Sequence, residues 1–470
     1  MLINNQTYLY LAYLINIFII LFILKFYMVA SVQGQDLSDI STLSENQREM
    51  ANSVDFLCSG GRTTGTLLND TLCSTGLRGS WQRDDIGDGE ARIGLSEMQH
   101  EEMITQGTNS VETSNINFTN VILGRLATLR GSGSVGISFD REDKIFSDPL
   151  YASLTLENVG KVAEDTDELG IASKLGIFLN GMQSFGDRDE TSREPGFDFD
   201  NKGIIGGTDY RLTDKFFIGL AGGYVRLDAD LQQSADSVDI DGYSVALYSS
   251  YYVIENLYVD AIASYTWHDY DTVRTINYSW ISDAKQDRIL NQTAKSDTDG
   301  SQKSFTLSAG YDLTIDEFIF GPSGRISYVD TNIDGYREGI IKEKGDLKTN
   351  ETLGLSVRHQ DVHSFTTSIG AFASYAISTP WAVLVPQALC EWEHEFSNDS
   401  RRIKATFLKD ISHTPISIKT DRPDRDFVNL GFGLSSVFVK GRSAFVYYNT
   451  VVGLDDVTSH ALTAGLRFEF

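Results

Sequence analysis

Ala461-Leu462-Thr463-Ala464-Gly465-Leu466-Arg467-Phe468-Glu469-Phe470 ends the sequence. Leu462, Ala464, Leu466, Phe468 and Phe470 share one parity, and Thr463, Gly465, Arg467 and Glu469 share the other, which is the period-2 pattern of a β-strand. A soluble sheet rarely leaves so apolar a face on an unprotected edge. A strand that closes a membrane barrel points that face into lipid and its charges into the lumen.

Moving back from this strand, similar alternation recurs at Leu175/Ile177/Leu179, at Leu257/Val259/Ala261/Ala263/Tyr265 and at Val428/Leu430/Phe432/Leu434. Tyr258 and Ile262 break the middle run, because perfect alternation would place polar groups there. Five connections are hairpin-sized: Thr213-Asp214-Lys215, Ile254-Glu255-Asn256, Thr314-Ile315-Asp316-Glu317, Ser378-Thr379-Pro380 and Lys440-Gly441-Arg442. Aromatics flank them: Tyr210 and Phe216, Tyr252 and Tyr258, Tyr311 and Phe318, Tyr375 and Trp381, Phe438 and Phe445. Rings gathered at one end of many hairpins form the interfacial girdle of a membrane barrel. The other six connections are mostly longer and polar: Gly186 to Pro195, Arg226 to Ser237, Tyr270 to Thr298, Asp330 to Glu351, Ser397 to Arg425 and Gly453 to Ser459. Five turns and six loops join twelve strands, so the first strand begins and the last ends on the short-turn, periplasmic side. A segment that precedes the first strand must then thread the lumen to reach the surface.

Parity divides lipid from lumen within a strand. From Leu384 to Phe396, Leu384, Pro386, Ala388, Cys390 and Trp392 are expected to face lipid, with Gln387, Glu391 and Glu393 inside. A charge at the bilayer midplane costs about 2 to 4 kcal/mol for Lys or Arg, and less for an acid. Pro386 removes one ladder hydrogen bond and so belongs at a strand end or a bulge.

The composition agrees with this architecture. The 470 residues include 41 Gly, 26 Phe and 21 Tyr, which favours β structure. Mean hydropathy of -0.18 is compatible with strands that alternate between lipid and lumen. A net charge of -26 argues against nucleic acid as a partner, because the chain would repel phosphate. Leu11 to Val32 is almost wholly apolar and ends near Val32-Gln33-Gly34, which predicts an export signal over residues 1–34, although Met1 to Tyr10 lacks Lys and Arg and an uncleaved anchor is the alternative. No second long apolar run exists in the sequence, so further crossings would be by strands.

Between these parts the spacing becomes helical. Ser44-Glu45-Asn46-Gln47 before Met50, Val54 and Leu57 predicts a capped helix start, and Asn115 to Leu129 carries Ile116, Val121, Ile122, Leu126 and Leu129 at helical intervals. Cys58 and Cys73 are close enough in sequence to pair in an oxidising compartment, and Cys390 reads as an apolar strand residue.

Chemistry-bearing motifs are weak throughout. Gly131-Ser132-Gly133-Ser134-Val135-Gly136 fits G-x-G-x-x-G but lacks the strand before and helix after that a dinucleotide loop requires, so it reads as a flexible linker. No G-x-S-x-G elbow occurs. His359 and His363 on a strand would lie roughly 13 Å apart, too far for one ion. Glu391, Glu393 and Glu395 around His394 read as lumen lining rather than a general-acid pair. No nucleophile–base constellation is present, so the chain reads as a non-enzyme with no cofactor and no metal site.

The residues carry a family resemblance. Gly176-Ile177-Phe178-Leu179-Asn180-Gly181, Gly196-Phe197-Asp198-Phe199-Asp200, Asp209-Tyr210, Gly242-Tyr243-Ser244 and the closing stretch Phe427 to Phe470 resemble the translocator barrel of autotransporters, the type V secretion proteins of Gram-negative bacteria. The likeness extends more weakly to Gln106-Gly107-Thr108 and Arg125-Leu126-Ala127-Thr128-Leu129-Arg130. It implies a twelve-stranded barrel, a linker through the lumen, and a C-terminal aromatic, Phe470 with Phe468 before it, read by the outer-membrane barrel assembly machinery after delivery by periplasmic chaperones. The passenger that remains, residues 35–130, is reduced to roughly a hundred residues without a recognisable activity, a departure from the family.

The expectation is therefore an all-β, twelve-stranded antiparallel transmembrane β-barrel in the lipid of the outer membrane, with a short, mainly helical N-terminal segment. The expected organisation is a signal peptide over 1–34, a passenger or pre-barrel segment over 35–130, a linker over 131–172 and the barrel over 173–470. Its expected role is to export or hold its own N-terminal segment. A surface adhesin acting through loops Tyr270 to Thr298 and Ser397 to Arg425 is the alternative.

Overall fold

The computed structural model describes residues 36–59, 72–73, 77–78, 95, 118–134, 175–232, 234–281, 287–341, 353–438 and 442–469. The expected signal peptide, the expected linker beyond Ser134 and Phe470 lie outside the described residues.

Twelve long strands run in sequence order: β1 Leu175–Arg188, β2 Phe197–Thr213, β3 Phe216–Leu231, β4 Ser237–Tyr252, β5 Leu257–Ile281, β6 Asp287–Tyr311, β7 Phe318–Ile333, β8 Gln360–Tyr375, β9 Val383–Glu395, β10 Asp426–Phe438, β11 Arg442–Val452 and β12 Val457–Glu469. Each pairs antiparallel with the next. The ring closes where β12 pairs with β1, from Gly176 opposite Glu469 to Arg188 opposite Val457. Closure leaves no free edge, which is what allows a sheet to cross lipid.

The outward parity is apolar. Ile204, Leu220, Leu247, Leu307, Ile326 and Ile369 are all exposed on the barrel wall. A contiguous apolar belt of this kind is unstable against water and stable against lipid. Aromatics bound it at both ends. Tyr251, Phe318, Tyr375 and Trp381 lie by the short turns. Phe305, Tyr328 and Phe365 stand in one cross-strand row nearer the other end. Pro386, Ala388, Cys390 and Trp392 face outward as expected, and Glu391 and Glu393 face inward. Pairing of β9 with β8 stops at Gln387 opposite Ser374, so Pro386 lies just past the last ladder partner on that side.

Three expectations need correction. Tyr258 does not join the girdle: it is buried in the lumen, where its ring lies over Gly310 of β6. Tyr447 lies likewise over Gly431 and Gly433, so a glycine on one strand makes room for an aromatic ring on its neighbour. The long connections are also not mainly coil. β5 and β6 form 25-residue strands that pair from Leu257 opposite Tyr311 to Ile281 opposite Asp287. At about 3.4 Å per residue such a strand is about 85 Å long, far more than a tilted crossing of a 25 Å apolar band needs. Outside the bilayer the outer face meets water instead of lipid, the apolar residues on that face give way to polar ones, and the backbone ladder continues unmarked in the sequence.

Connections β7–β8 and β9–β10 contribute a separate four-stranded sheet, in the order Ile416–Lys419, Arg402–Phe407, Leu355–Val357, Tyr336–Arg337. Two fifteen-residue helices precede the barrel among the described residues. Helix α1 (Glu45–Ser59) begins with the expected capping box: the Gln47 amide N–H donates to Ser44 Oγ, and the Ser44 N–H donates to Gln47 Oε1. Helix α2 (Asn120–Ser134) includes Gly131 to Ser134, so the stretch read as the start of a flexible linker is helical and crosses the boundary expected after residue 130. Glycines disfavour a helix interior by about 1 kcal/mol each, a cost smallest in effect at its last turn.

Candidate functional site in the lumen and at the outer mouth

Helix α2 lies inside the barrel. Phe118, just before it, and Val121, Ile122 and Leu126 are buried against Phe178, Met182, Ile205, Phe217, Val225 and Ile262 of β1 to β5. Ile262, which broke the sequence alternation, is thus an inward apolar residue that packs in the same cluster as the helix. Phe118 comes close to Gly223, halfway along β3, where a Cβ would crowd its ring. Two turns further on, Arg125 reaches Asp209 and Gly176, near the short-turn end. The helix therefore descends from the middle of the lumen toward the periplasmic mouth.

Arg125 and Asp209 form the strongest contact of this helix. Nε lies 2.7 Å and Nη2 2.5 Å from Asp209 Oδ2, with side chains only 3% and 4% exposed. The guanidinium also stands 5.4 Å from the Phe178 ring centre, and Tyr248 Oη donates to Asp209 at 3.4 Å. A side chain at Gly176 would meet Arg125 Nη2 at 2.6 Å. Both partners sit in stretches quoted above for their family likeness, but their pairing was not legible from either stretch alone. The opposite wall is polar. Arg325 of β7 binds Glu391 at 3.0 Å and Glu393 at 2.6 Å, and reaches Asn120 Oδ1 of the helix at 3.5 Å. The three glutamates around His394 are thus lumen lining, and His394 itself points outward beside Asp426 at 2.8 Å.

The outer mouth carries the N-terminal segment. Leu37, Met50, Val54, Leu57, Leu72 and Leu77 share one core with Leu355, Val357, Phe407, Ile416 and Ile418 of the loop sheet. Cys58 and Cys73 are disulfide-bonded, with Cα atoms 5.2 Å apart, and Cys390 is free and exposed. Arg274, on the extended part of β5, ties the barrel to this sheet through Glu338 at 2.6 Å and the Leu353 carbonyl at 3.0 Å. A charged rim surrounds α1. Glu45 accepts from Lys419 at 2.8 Å and from Arg193 at 2.9 Å, which holds its carboxyl below the usual range, the Lys419 bond being the largest cause. Glu194 pairs with Arg188 at 2.6 Å and accepts from the Asp421 amide at 2.8 Å, yet burial pushes its carboxyl up. Thr191 also bonds Asp421.

The remaining sequence candidates do not converge on a catalytic site. His359 and His363 are exposed and pair separately, at 3.6 Å with Asp361 and 2.8 Å with Asp330. Among the described residues, no three His, Cys, Asp or Glu side chains are placed to hold a metal ion. Phe468 faces outward on β12, opposite Ile177 of β1.

A closed twelve-stranded antiparallel barrel with a lipid-facing belt is an outer-membrane β-barrel. Its sequence from residue 177 to 449 matches the family model described as the autotransporter beta-domain, and the chain belongs to that family, which places it in type V secretion. An extracellular serine protease of Serratia marcescens is 22% identical over 387 residues, covering 80% of this chain and 34% of that protein. Outer membrane protein B of Rickettsia prowazekii (strain Madrid E) is 24% identical over 166 residues, covering 35% of this chain and 10% of that protein. The chain therefore spans about a third or less of the length of these relatives. Among solved structures, the translocator domain of autotransporter NalP from Neisseria meningitidis is similar at 14% identity and a TM-score of 0.48, covering 63% of this chain and 89% of that one.

Proposed function

We propose that this autotransporter barrel carries its own N-terminal segment through its lumen and holds it at the outer mouth. One observation carries the proposal: residues 36–59 with Leu72, Cys73, Leu77 and Leu95 pack on the long-loop end, α2 descends through the lumen, and β1 begins at the short-turn end. That order is the path of a chain threaded through its own barrel. The apolar wall of β1 to β5 supports α2, and the buried Arg125–Asp209 pair fixes its height. The organisation that follows is a signal over 1–34, a cap segment from 35 to about 117, a luminal helix, and a barrel from about residue 173. In this reading the barrel is a non-catalytic conduit, and Phe468 with Phe470 presents the signal read by the assembly machinery.

The test uses cysteines placed at exposed positions. Asn52→Cys on α1 should react with a membrane-impermeant maleimide on intact cells, whereas Asp214→Cys in a short turn should react only after permeabilisation. The reverse pattern would refute the path. Heat-modifiable migration in detergent gels reports that each variant retains a folded barrel.

A further inference from the structure

The strand Ile416–Lys419 is an edge strand of the loop sheet, and edge strands present unpaired amide and carbonyl groups. Helix α1 covers this edge in an unusual way. Asn46 Nδ2 donates to the Lys419 carbonyl at 3.0 Å, while its Oδ1 accepts from the Lys419 amide at 2.9 Å. One side-chain amide thus makes the pair of bonds that a neighbouring strand would make. Nδ2 also donates to the Arg193 carbonyl at 2.9 Å, and Ser53 Oγ donates to the Pro415 carbonyl at 3.1 Å. Asn46 is 2% exposed, so these bonds are sheltered from competing water.

Neither side has a core without the other. Helix α1 has 15 residues, marginal as an isolated helix. The loop-sheet strands have two to six residues, too few to bury a face alone. Leu37, Met50, Val54 and Leu57 from one side and Leu355, Phe407, Ile416 and Ile418 from the other are all 3% exposed or less in one shared core. We propose that the loop sheet is a receptor for the disulfide-closed segment that carries α1 (Glu45–Ser59), with Asn46 as its recognition residue, and that it holds this segment without the peptide link to the lumen. The inference rests on the reading above for its cellular meaning, but binding itself does not depend on membrane orientation. A cut between residues 96 and 117 then leaves the segment on the mouth as a non-covalent cap instead of releasing it.

The experiment uses the full chain, purified in detergent, with a site-specific protease sequence inserted between residues 96 and 117. After cleavage, gel filtration should recover the N-terminal fragment with the barrel. Asn46→Asp keeps the size of the side chain but turns lone pairs toward the Lys419 and Arg193 carbonyls, and should speed release tenfold or more. Val54→Asp, in the shared core, should do the same while the barrel keeps its heat-modifiable migration. Release of the parent fragment as fast as it is cut overturns the proposal, as does retention of both variants at the parental rate. The same cleavage on intact cells separates the two readings. A site that cannot be cut from outside counts against the threaded path, while a site that is cut with immediate loss of the fragment counts against the receptor alone.

Discussion

Replacing Asp209 by Ala removes the carboxylate bonded to Arg125 in the lumen and leaves a guanidinium that is 3% exposed. Breaking a buried pair from one side costs about 3 to 5 kcal/mol, because the remaining charge loses its partner without regaining water. That cost falls on the docked position of α2, so the ratio of docked to undocked helix should drop by a factor of about 100 to 5,000. Arg467, 6% exposed and within electrostatic reach of Arg125, adds a second cation to the same region and opposes any relief. An undocked helix opens the lumen, so single-channel recording in planar bilayers reads the change directly. Parent protein should be mostly closed, and Asp209→Ala should open in frequent or sustained events. The double variant Arg125→Met with Asp209→Asn removes the charge together with its partner and should return most of the closed time. Traces of Asp209→Ala as quiet as the parent, or a double variant as leaky as the single one, would refute the assignment of this pair as the lock.

Three further outcomes follow from the same geometry. Deleting Phe470 together with a Phe468→Ser change should cut the amount of heat-modifiable barrel in the outer membrane severalfold while synthesis continues, and normal levels in membrane fractions would contradict the proposed assembly signal. Glu45 is held below its ordinary value of 4.5 by Lys419 and Arg193, so its contribution to cap docking is complete above that value and is lost as pH falls through the lower folded one. Glu194 runs the other way, since burial raises it and acid protonates it in the folded loop first. Cap retention after cleavage should therefore not fall between pH 7 and 5 and should weaken only below about 4.5, with Glu45→Gln abolishing that acid step and changing release at pH 7 less than about fivefold; a loss of retention already at pH 6 would rule this out. Cys58 and Cys73 close a loop with a sequence separation of 15, worth about 3 kcal/mol in chain entropy. A Cys58→Ser, Cys73→Ser variant should lose cap retention in the cleavage assay without altering barrel migration, and equal sensitivity of the barrel would disprove a role confined to the mouth.

The barrel was legible because lipid imposes its pattern on every crossing strand. Leu462, Leu466 and Phe468 face outward, and Arg467 faces the lumen, as the alternation required. Cys390 and Pro386 fell on the expected face for the same reason. What the pattern did not show lies outside the bilayer or depends on contacts between distant segments. The extensions of β5 and β6 beyond the girdle lack an apolar alternation because their outer face meets water instead of lipid, while the inner face buries polar residues such as Thr272, Arg274 and Gln292 beside Tyr270 and Ile276. Asn46 carries no local mark of its role, since its partners Arg193 and Lys419 are distant in sequence and belong to connections that read only as polar loops.

The irregular lumen pattern has a physical cause that joins these parts. A water-filled barrel would line its interior with polar residues throughout. Here Gln302, Thr306, Ser327, Thr331, Ser364 and Ser368 do so along β6 to β8. Along β1 to β5, however, Phe178, Met182, Ile205, Phe217, Val225 and Ile262 point inward, and exposing them to luminal water would be unfavourable by roughly 1.5 to 3 kcal/mol for each large side chain. They are buried because α2 presents Val121, Ile122 and Leu126 to them, following Phe118. The inward apolar residues of the wall and the apolar face of the segment before it are therefore complementary, and a barrel that released this helix would be left with an apolar stripe facing water. That asymmetry favours a segment that stays in the lumen after crossing it over one that merely passes through.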